Sequence, residues 1–236
     1  MEPQIIIPEF EGYHNNKKEE SRLIEGKTYK DLSTICIIPS RGHIAVPVVQ
    51  NWMSMMTPMN QKFFRIFVTN MEVADAYNKA IETILNDPEL KNWKFILTLE
   101  DDNLPPPDGL IKLYQCTDLF DVIGGLYWTK GETGQPMIYG DPREVSLNFR
   151  PQIPQQDSIQ PCYGLGMGFT LFKLDIFKKL QAPWFKTVQE HDPVEGTKMF
   201  TQDLYFFEKL FLSGFKVACD TRIKVGHYDK DKDIIW

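Results

Sequence analysis

No stretch of this 236-residue chain is both long enough and apolar enough to cross a membrane, and no charged-then-apolar leader opens it. A soluble cytoplasmic protein without membrane insertion is therefore expected. Cysteine is sparse: Cys36, Cys116, Cys162 and Cys219 are scattered, with no CxxC pair, which argues against a zinc ribbon or a paired redox motif. Cys36 and Cys219 sit in apolar runs, where buried reduced thiols are expected. Positive charge is also in deficit. Lys and Arg number 26 against 32 Asp and Glu, a net charge of −6, which weighs against non-specific nucleic-acid binding. There is no internal repeat and no low-complexity tract.

What remains is ordinary for a globular α/β protein: 42% hydrophobic and 25% charged residues, enough for one large domain. Residues 1–31 are polar and mixed in charge and read as an arm or extension outside the core. Strands are expected at 34–39, 62–70, 95–99 and 121–128, and helices at 45–56, 73–87 and near 108–116. Pro47 suits a first helical turn, and Pro88 stops the second helix. This alternation predicts a mostly parallel central sheet flanked by helices. Residues 141–161 hold four prolines and read as a long loop or short hairpin. Beyond them a helix is expected at 204–212, then two strand-like runs, 215–218 and 222–225.

The most informative segment is FILTLEDDNLPPPDGL, residues 95–110. Its apolar strand ends in Glu100, Asp101 and Asp102, and Pro105, Pro106 and Pro107 prevent a helix from starting at once. Ligands of open α/β sheets bind at the C-terminal ends of strands, so the acidic rim is expected to face a cleft. Three adjacent carboxylates repel one another, and a hard divalent cation relieves that repulsion.

Several tempting patterns fail. Gly26-Lys27-Thr28 imitates the end of a phosphate loop, but Ser21 stands where its first glycine belongs and no strand precedes it. Gly164, Gly166 and Gly168 are spaced GxGxG, which does not match a dinucleotide fingerprint. His191 and Glu195 are four apart, but Pro193 and Gly196 argue for a mobile loop there. Ser40 and His43 have no third partner for a nucleophilic triad.

The order of the motifs is more specific than any one of them. An early strand ends in Pro39-Ser40-Arg41, and the acidic triplet follows in mid-chain. A glycine-rich apolar segment comes next, then Asp203 opening a helix, and His227 in KVGHYD. This order resembles the GT-A glycosyltransferases, and glycosyltransferase family 2 within them, over residues 33–228. The resemblance implies a single GT-A domain over 32–236, with a nucleotide-sugar-binding half (32–128) and an acceptor-binding half (129–236).

It also implies roles. Pro39, Ser40, Arg41, Asn70, Asp75, Asn78, Glu100 and Asp101 would bind the donor, a nucleoside diphosphate sugar. Asp102 and His227 would hold Mn²⁺ or Mg²⁺, in a Glu-x-Asp variant of the DxD motif. Asp203 would be the general base, and Trp128, Tyr163, Gly164 and Gly166 would shape the acceptor pocket. The chain departs from the pattern in three places. Asn70 replaces a common acid, Tyr77 replaces an Arg beside Asn78, and Gln202 replaces a Glu beside Asp203. The processive QxxRW signature is absent, so transfer of a single sugar to an acceptor hydroxyl, with inversion, is expected.

A retaining enzyme of the same fold and a nucleotidyltransferase are the alternatives. The latter is disfavoured because no Gly-rich, Lys/Arg-bearing loop follows the first strand. A non-catalytic sugar-nucleotide-binding module is a third. The acceptor's class is open and includes a hydroxymethylated DNA base.

Overall fold

A computed structural model describes residues 4–6, 30–144, 146–192 and 196–236. In chain order the elements are β1 (Gln4–Ile6), β2 (Thr34–Ser40), α1 (Val46–Met53), β3 (Phe63–Thr69), α2 (Val73–Asn86), β4 (Phe95–Leu99), β5 (Asn103–Leu104), α3 (Gly109–Gln115) and β6 (Val122–Leu126). The second half adds β7 (Ile138–Tyr139), β8 (Ile159–Cys162), β9 (Gly164–Leu165), β10 (Phe169–Lys173) and α4 (Asp175–Lys179). It ends with β11 (Val188–Asp192), β12 (Gly196–Phe200), α5 (Gln202–Leu212), β13 (Val217–Lys224), β14 (Gly226–Asp229) and β15 (Ile234–Ile235).

The strands read as near-continuous apolar runs because both faces of the sheet are covered. Every residue of β2, β4 and β6 is buried. Successive side chains alternate between the two faces. Ile35 and Ile37 join the layer containing Tyr77, Ile81 and Ile84 of α2 and Phe206 and Phe207 of α5. Cys36 and Ile38 join the opposite layer, with Val48 and Trp52 of α1 and Leu110 and Leu113 of α3. All four cysteines are buried free thiols.

Across the main sheet the order is β1–β3–β2–β4–β10–β6–β13–β8. Strands β2, β3, β4, β6 and β13 share one direction, and β1, β8 and β10 run the other way. Five of the six inner strands are thus co-directional, as the sequence pattern predicts, with β10 the reversed one between β4 and β6. That geometry positions the site. The C-terminal ends of β2, β3, β4, β6 and β13 and the N-terminal end of β10 meet at one edge, placing Ser40, Asn70, Glu100, Tyr127, Gly168 and Val225 there.

Several sequence expectations change. The separate runs at 215–218 and 222–225 are one strand, β13, because the polar stretch between them is buried and satisfied. Asp220 is fully buried and ion-paired to Arg222 at 2.6 Å, and Thr221 donates its hydroxyl proton to the Gln155 carbonyl at 2.6 Å. The segment around His191 is a hairpin and not a loop: Val188–Asp192 pairs with Gly196–Phe200, and Glu195 lies outside the described residues. Most of the expected arm (1–31), including the Gly26-Lys27-Thr28 decoy, also lies outside them. Its residues Gln4–Ile6 extend the sheet edge by pairing with β3. Within 141–161, β8 emerges at Ile159 and pairs with β13, and the other described residues are turns and irregular chain apart from a bridge from Pro151 to Tyr139. Helix α1 stops at Met53, short of the expected residue 56.

Candidate active site

The acidic triplet follows β4 directly. The Glu100 N–H bonds the Gly168 carbonyl (3.3 Å), and the Asn103 N–H bonds back to the Glu100 carbonyl (3.1 Å), so a tight turn presents Asp101 and Asp102. Asp101 accepts the Arg41 backbone N–H at 3.4 Å, which ties the triplet to the end of β2. Ser40 accepts the Gly42 N–H at 3.1 Å, and the Arg41 side chain is exposed at the same edge.

His227 arrives from the far end of the chain. Strand β14 pairs antiparallel with β5, setting His227 opposite Asn103 and Gly226 opposite Leu104. The Tyr228 N–H binds the Asp102 carbonyl (2.7 Å), and His227 and Trp236 exchange backbone bonds at 3.1 and 3.0 Å. The imidazole Nε2 then lies 3.4 Å from Asp102 Oδ2, and Nδ1 lies 2.8 Å from the Trp128 carbonyl. A carbonyl can only accept, so Nδ1 carries the proton and Nε2 is turned toward the carboxylate.

Sequence reasoning missed a cation here. The Lys130 ammonium sits 2.5 Å from the same Oδ2. Its available signal was position: Lys130 is the one basic residue between Asp121 and Pro142, directly after the strand that ends at this edge. Burial alone would raise the Asp102 carboxyl, but the Lys130 ammonium and His227 beside it outweigh burial and hold the group below its ordinary value.

Glu100 goes the other way. Half-buried and loaded by Asp102, Asp203 and Asp101, it is pushed up to about 8, with desolvation the largest cause. Such a group stabilises the fold least when it is charged. Below its ordinary value of 4.5 it is protonated in both folded and unfolded chains. As pH rises toward about 8, the unfolded chain gives up a proton that the folded one retains, so stability falls through that window. Glu100→Gln is expected to flatten the decline between pH 5 and pH 8 and to stabilise the metal-free protein by about 1–3 kcal/mol at pH 8. Chemical denaturation across that range measures both. An unchanged pH slope would show that Glu100 is not the group responsible.

Asp203 lies in the first turn of α5 and is 8% exposed. It accepts the Leu204 N–H at 3.0 Å and a bond from the Thr201 hydroxyl. Burial raises it above the ordinary carboxyl range, and those two bonds oppose the shift. Its charge adds to the upward shift of Glu100, Tyr77 and Tyr127. Tyr127 is a second residue that the sequence did not single out. Its hydroxyl accepts the Gly168 N–H (2.9 Å), and its ring meets His227 edge-on at 5.6 Å.

Other expected residues are placed differently. The Asn78 amide is consumed by structure: its oxygen accepts the Trp184 and Phe185 N–H groups (2.9 and 3.1 Å), and its nitrogen donates to the Phe185 carbonyl (2.7 Å). That leaves it as a clamp between α2 and the 184–185 segment. Asn70, in a left-handed conformation (φ 59°), Asp75 and Asn78 line a groove of about 790 Å³. Glu72 and Glu82 outnumber Lys79 in the same wall, so a diphosphate is repelled there.

Trp128 is 42% exposed at the site edge. Tyr163 instead packs on Phe211 with ring centroids 4.9 Å apart, eight residues or about 12 Å along α5 from Asp203. Gly164 and Gly166 are buried. A Cβ at Gly164 would press on the Phe149 ring, and one at Gly166 would collide with the Tyr127 hydroxyl.

Among the described residues, no group of three or more His, Cys, Asp or Glu side chains is placed to hold a metal. Asp102 and His227 nevertheless form a two-ligand set of the right chemistry. A carboxylate oxygen and an imidazole nitrogen face each other, and the other imidazole nitrogen is fixed by a carbonyl, as metal-ligating histidines are. That set fits a divalent ion whose remaining ligands come from phosphate oxygens and water.

No protein-family model matches the chain, and no curated protein does. Solved structures match its shape. A197 from STIV is 19% identical, with TM-score 0.60 over 86% of this chain and 92% of that one. GalNAc-T7, solved with UDP, GalNAc and Mn²⁺, is 11% identical, with TM-score 0.54 over 84% of this chain. The fold is GT-A-like. The match spans only 44% of the GalNAc-T7 chain, so the likeness is to less than half of it. No helix among the described residues of this GT-A-like chain is long and apolar enough to cross a membrane.

Proposed function

We propose that the protein is a metal-dependent glycosyltransferase that moves one sugar from a nucleoside diphosphate donor to an acceptor hydroxyl, with inversion. The observation that carries this reading is the convergence at one sheet edge of Asp102 and His227, 3.4 Å apart. Support also comes from the GT-A-like fold and from GalNAc-T7, a structural neighbour that binds UDP and Mn²⁺.

Asp102 and His227 would hold Mn²⁺ or Mg²⁺ against the diphosphate; a bound ion there would stabilise the charge that gathers on the leaving group. Pro39, Ser40 and Arg41 at the end of β2 and Asp101 beside them flank the donor. Asn70 and Asp75 line the adjoining acidic groove, which suits the uncharged base or ribose better than phosphate. Asp203 takes the proton from the acceptor hydroxyl as it attacks the anomeric carbon from the face opposite the diphosphate. Burial raises its proton affinity, which suits that task. The exposed Trp128 ring offers an apolar face to a sugar or acceptor at the cleft mouth.

Incubating the protein with a panel of nucleotide sugars and Mn²⁺, and following products by mass spectrometry, tests the reading. The expected result is slow hydrolysis of one donor to sugar and nucleoside diphosphate without any added acceptor. Release of pyrophosphate from a nucleoside triphosphate instead would assign nucleotidyl transfer.

A further inference from the structure

Asp102 Oδ2 has two claimants. The Lys130 ammonium is 2.5 Å from it, and His227 Nε2, the nitrogen turned toward the carboxylate, is 3.4 Å away. A divalent ion bound to that oxygen sits about 2.0–2.6 Å from it, which would bring two positive charges within a few ångströms of each other. Either the ion or the ammonium must leave unless an anion arrives with the ion.

Building on the transferase reading, we infer that Lys130 is the site's resident cation. It neutralises Asp102 while the site is empty and moves its ammonium onto a diphosphate oxygen when a metal-bound nucleotide enters.

The local fold suits this exchange. Lys130 stands on a loop closed at its base by the Trp128–Pro136 bridge, by the Thr129 N–H on the Gln135 carbonyl (2.9 Å), and by the Gln135 N–H on Thr129 Oγ1 (2.8 Å). The tip is pinned by the Gly134 N–H on the Gly131 carbonyl (2.9 Å), with Gly131 at φ 107°. The backbone is therefore held, and the four-carbon lysine stem, one-third exposed, can swing by rotamer changes alone. The same loop supplies the carbonyl that orients His227, so one short segment sets both the metal ligand and its competitor. Lys130 also offsets the charge on Glu100 as well as on Asp102, as a cation serving the whole triplet should.

The inference makes two opposite demands on one variant. Removing the ammonium frees Asp102 for a bare ion but takes a partner from the diphosphate. Calorimetric titration of Lys130→Met with Mn²⁺ alone is expected to show affinity about tenfold tighter than wild type. Titration with Mn²⁺-pyrophosphate is expected to be about tenfold weaker, the scale of one charge-assisted hydrogen bond. Lys130→Arg, which keeps the charge, should stay within a few fold of wild type in both titrations.

If Lys130→Met matches wild type in either titration while wild type binds Mn²⁺-pyrophosphate, the inference is overturned and the transferase reading stands. If wild type binds no Mn²⁺-pyrophosphate, the transferase reading falls and takes this inference with it.

Discussion

Replacing Asp203 with Asn is expected to slow sugar transfer by about 10²–10⁴-fold, the usual worth of a general base, while Mn²⁺-pyrophosphate affinity stays within a few fold of wild type. The substitution is well matched to the question. Asn keeps an oxygen able to accept the Leu204 N–H and the bond from the Thr201 hydroxyl, so the first turn of α5 stays satisfied. What it loses is the capacity to take a proton. The environment makes that capacity useful, because burial raises Asp203 above the ordinary carboxyl range. Single-turnover rates with saturating donor isolate the chemical step from binding. Transfer at the wild-type rate would reduce Asp203 to a helix-end residue. Loss of metal-pyrophosphate binding along with activity would place it in the donor site and remove the case for inversion.

The helix that Asp203 opens was legible in the sequence because a carboxylate at the start of an amphipathic helix is a local signal, while its role as base came from the resemblance alone. The same holds for the sheet edge. Buried strands such as Thr34–Ser40 and Phe95–Leu99 need apolar residues on both faces, and their ends are marked by the first polar residues, Ser40 and Glu100. What stayed hidden depended on long-range pairing. Nothing local says that Phe169–Lys173 inserts, reversed, between β4 and β6. Asp220 reads as a break in a strand until Arg222 is seen to neutralise it inside the sheet. Asn78 matches a family position, yet a partner segment more than a hundred residues away uses its whole amide. Lys130 is a plain surface lysine until the fold lays it on Asp102.

Asp102→Ala is expected to abolish the Mn²⁺-dependent part of nucleoside diphosphate binding, weakening it by about 100-fold or more. Losing even an outer-shell partner of a metal ligand costs about 10–100-fold, and Asp102 would be a direct ligand. The fold should survive, because the bond that ties this turn to β14 uses the Asp102 backbone carbonyl, which alanine keeps. His227→Ala should cost less, about tenfold, since it leaves the hard oxygen ligand in place and removes only the softer nitrogen. Calorimetry in Mn²⁺ and again in EDTA separates the contributions. In EDTA, Asp102→Ala should bind no more weakly than wild type, because a carboxylate only repels a diphosphate once the ion is gone and its removal also frees the Lys130 ammonium. Equal wild-type affinity in Mn²⁺ and EDTA would exclude a metal bridge. Cation chemistry at this edge would then rest on Lys130, the ammonium already bound to Asp102.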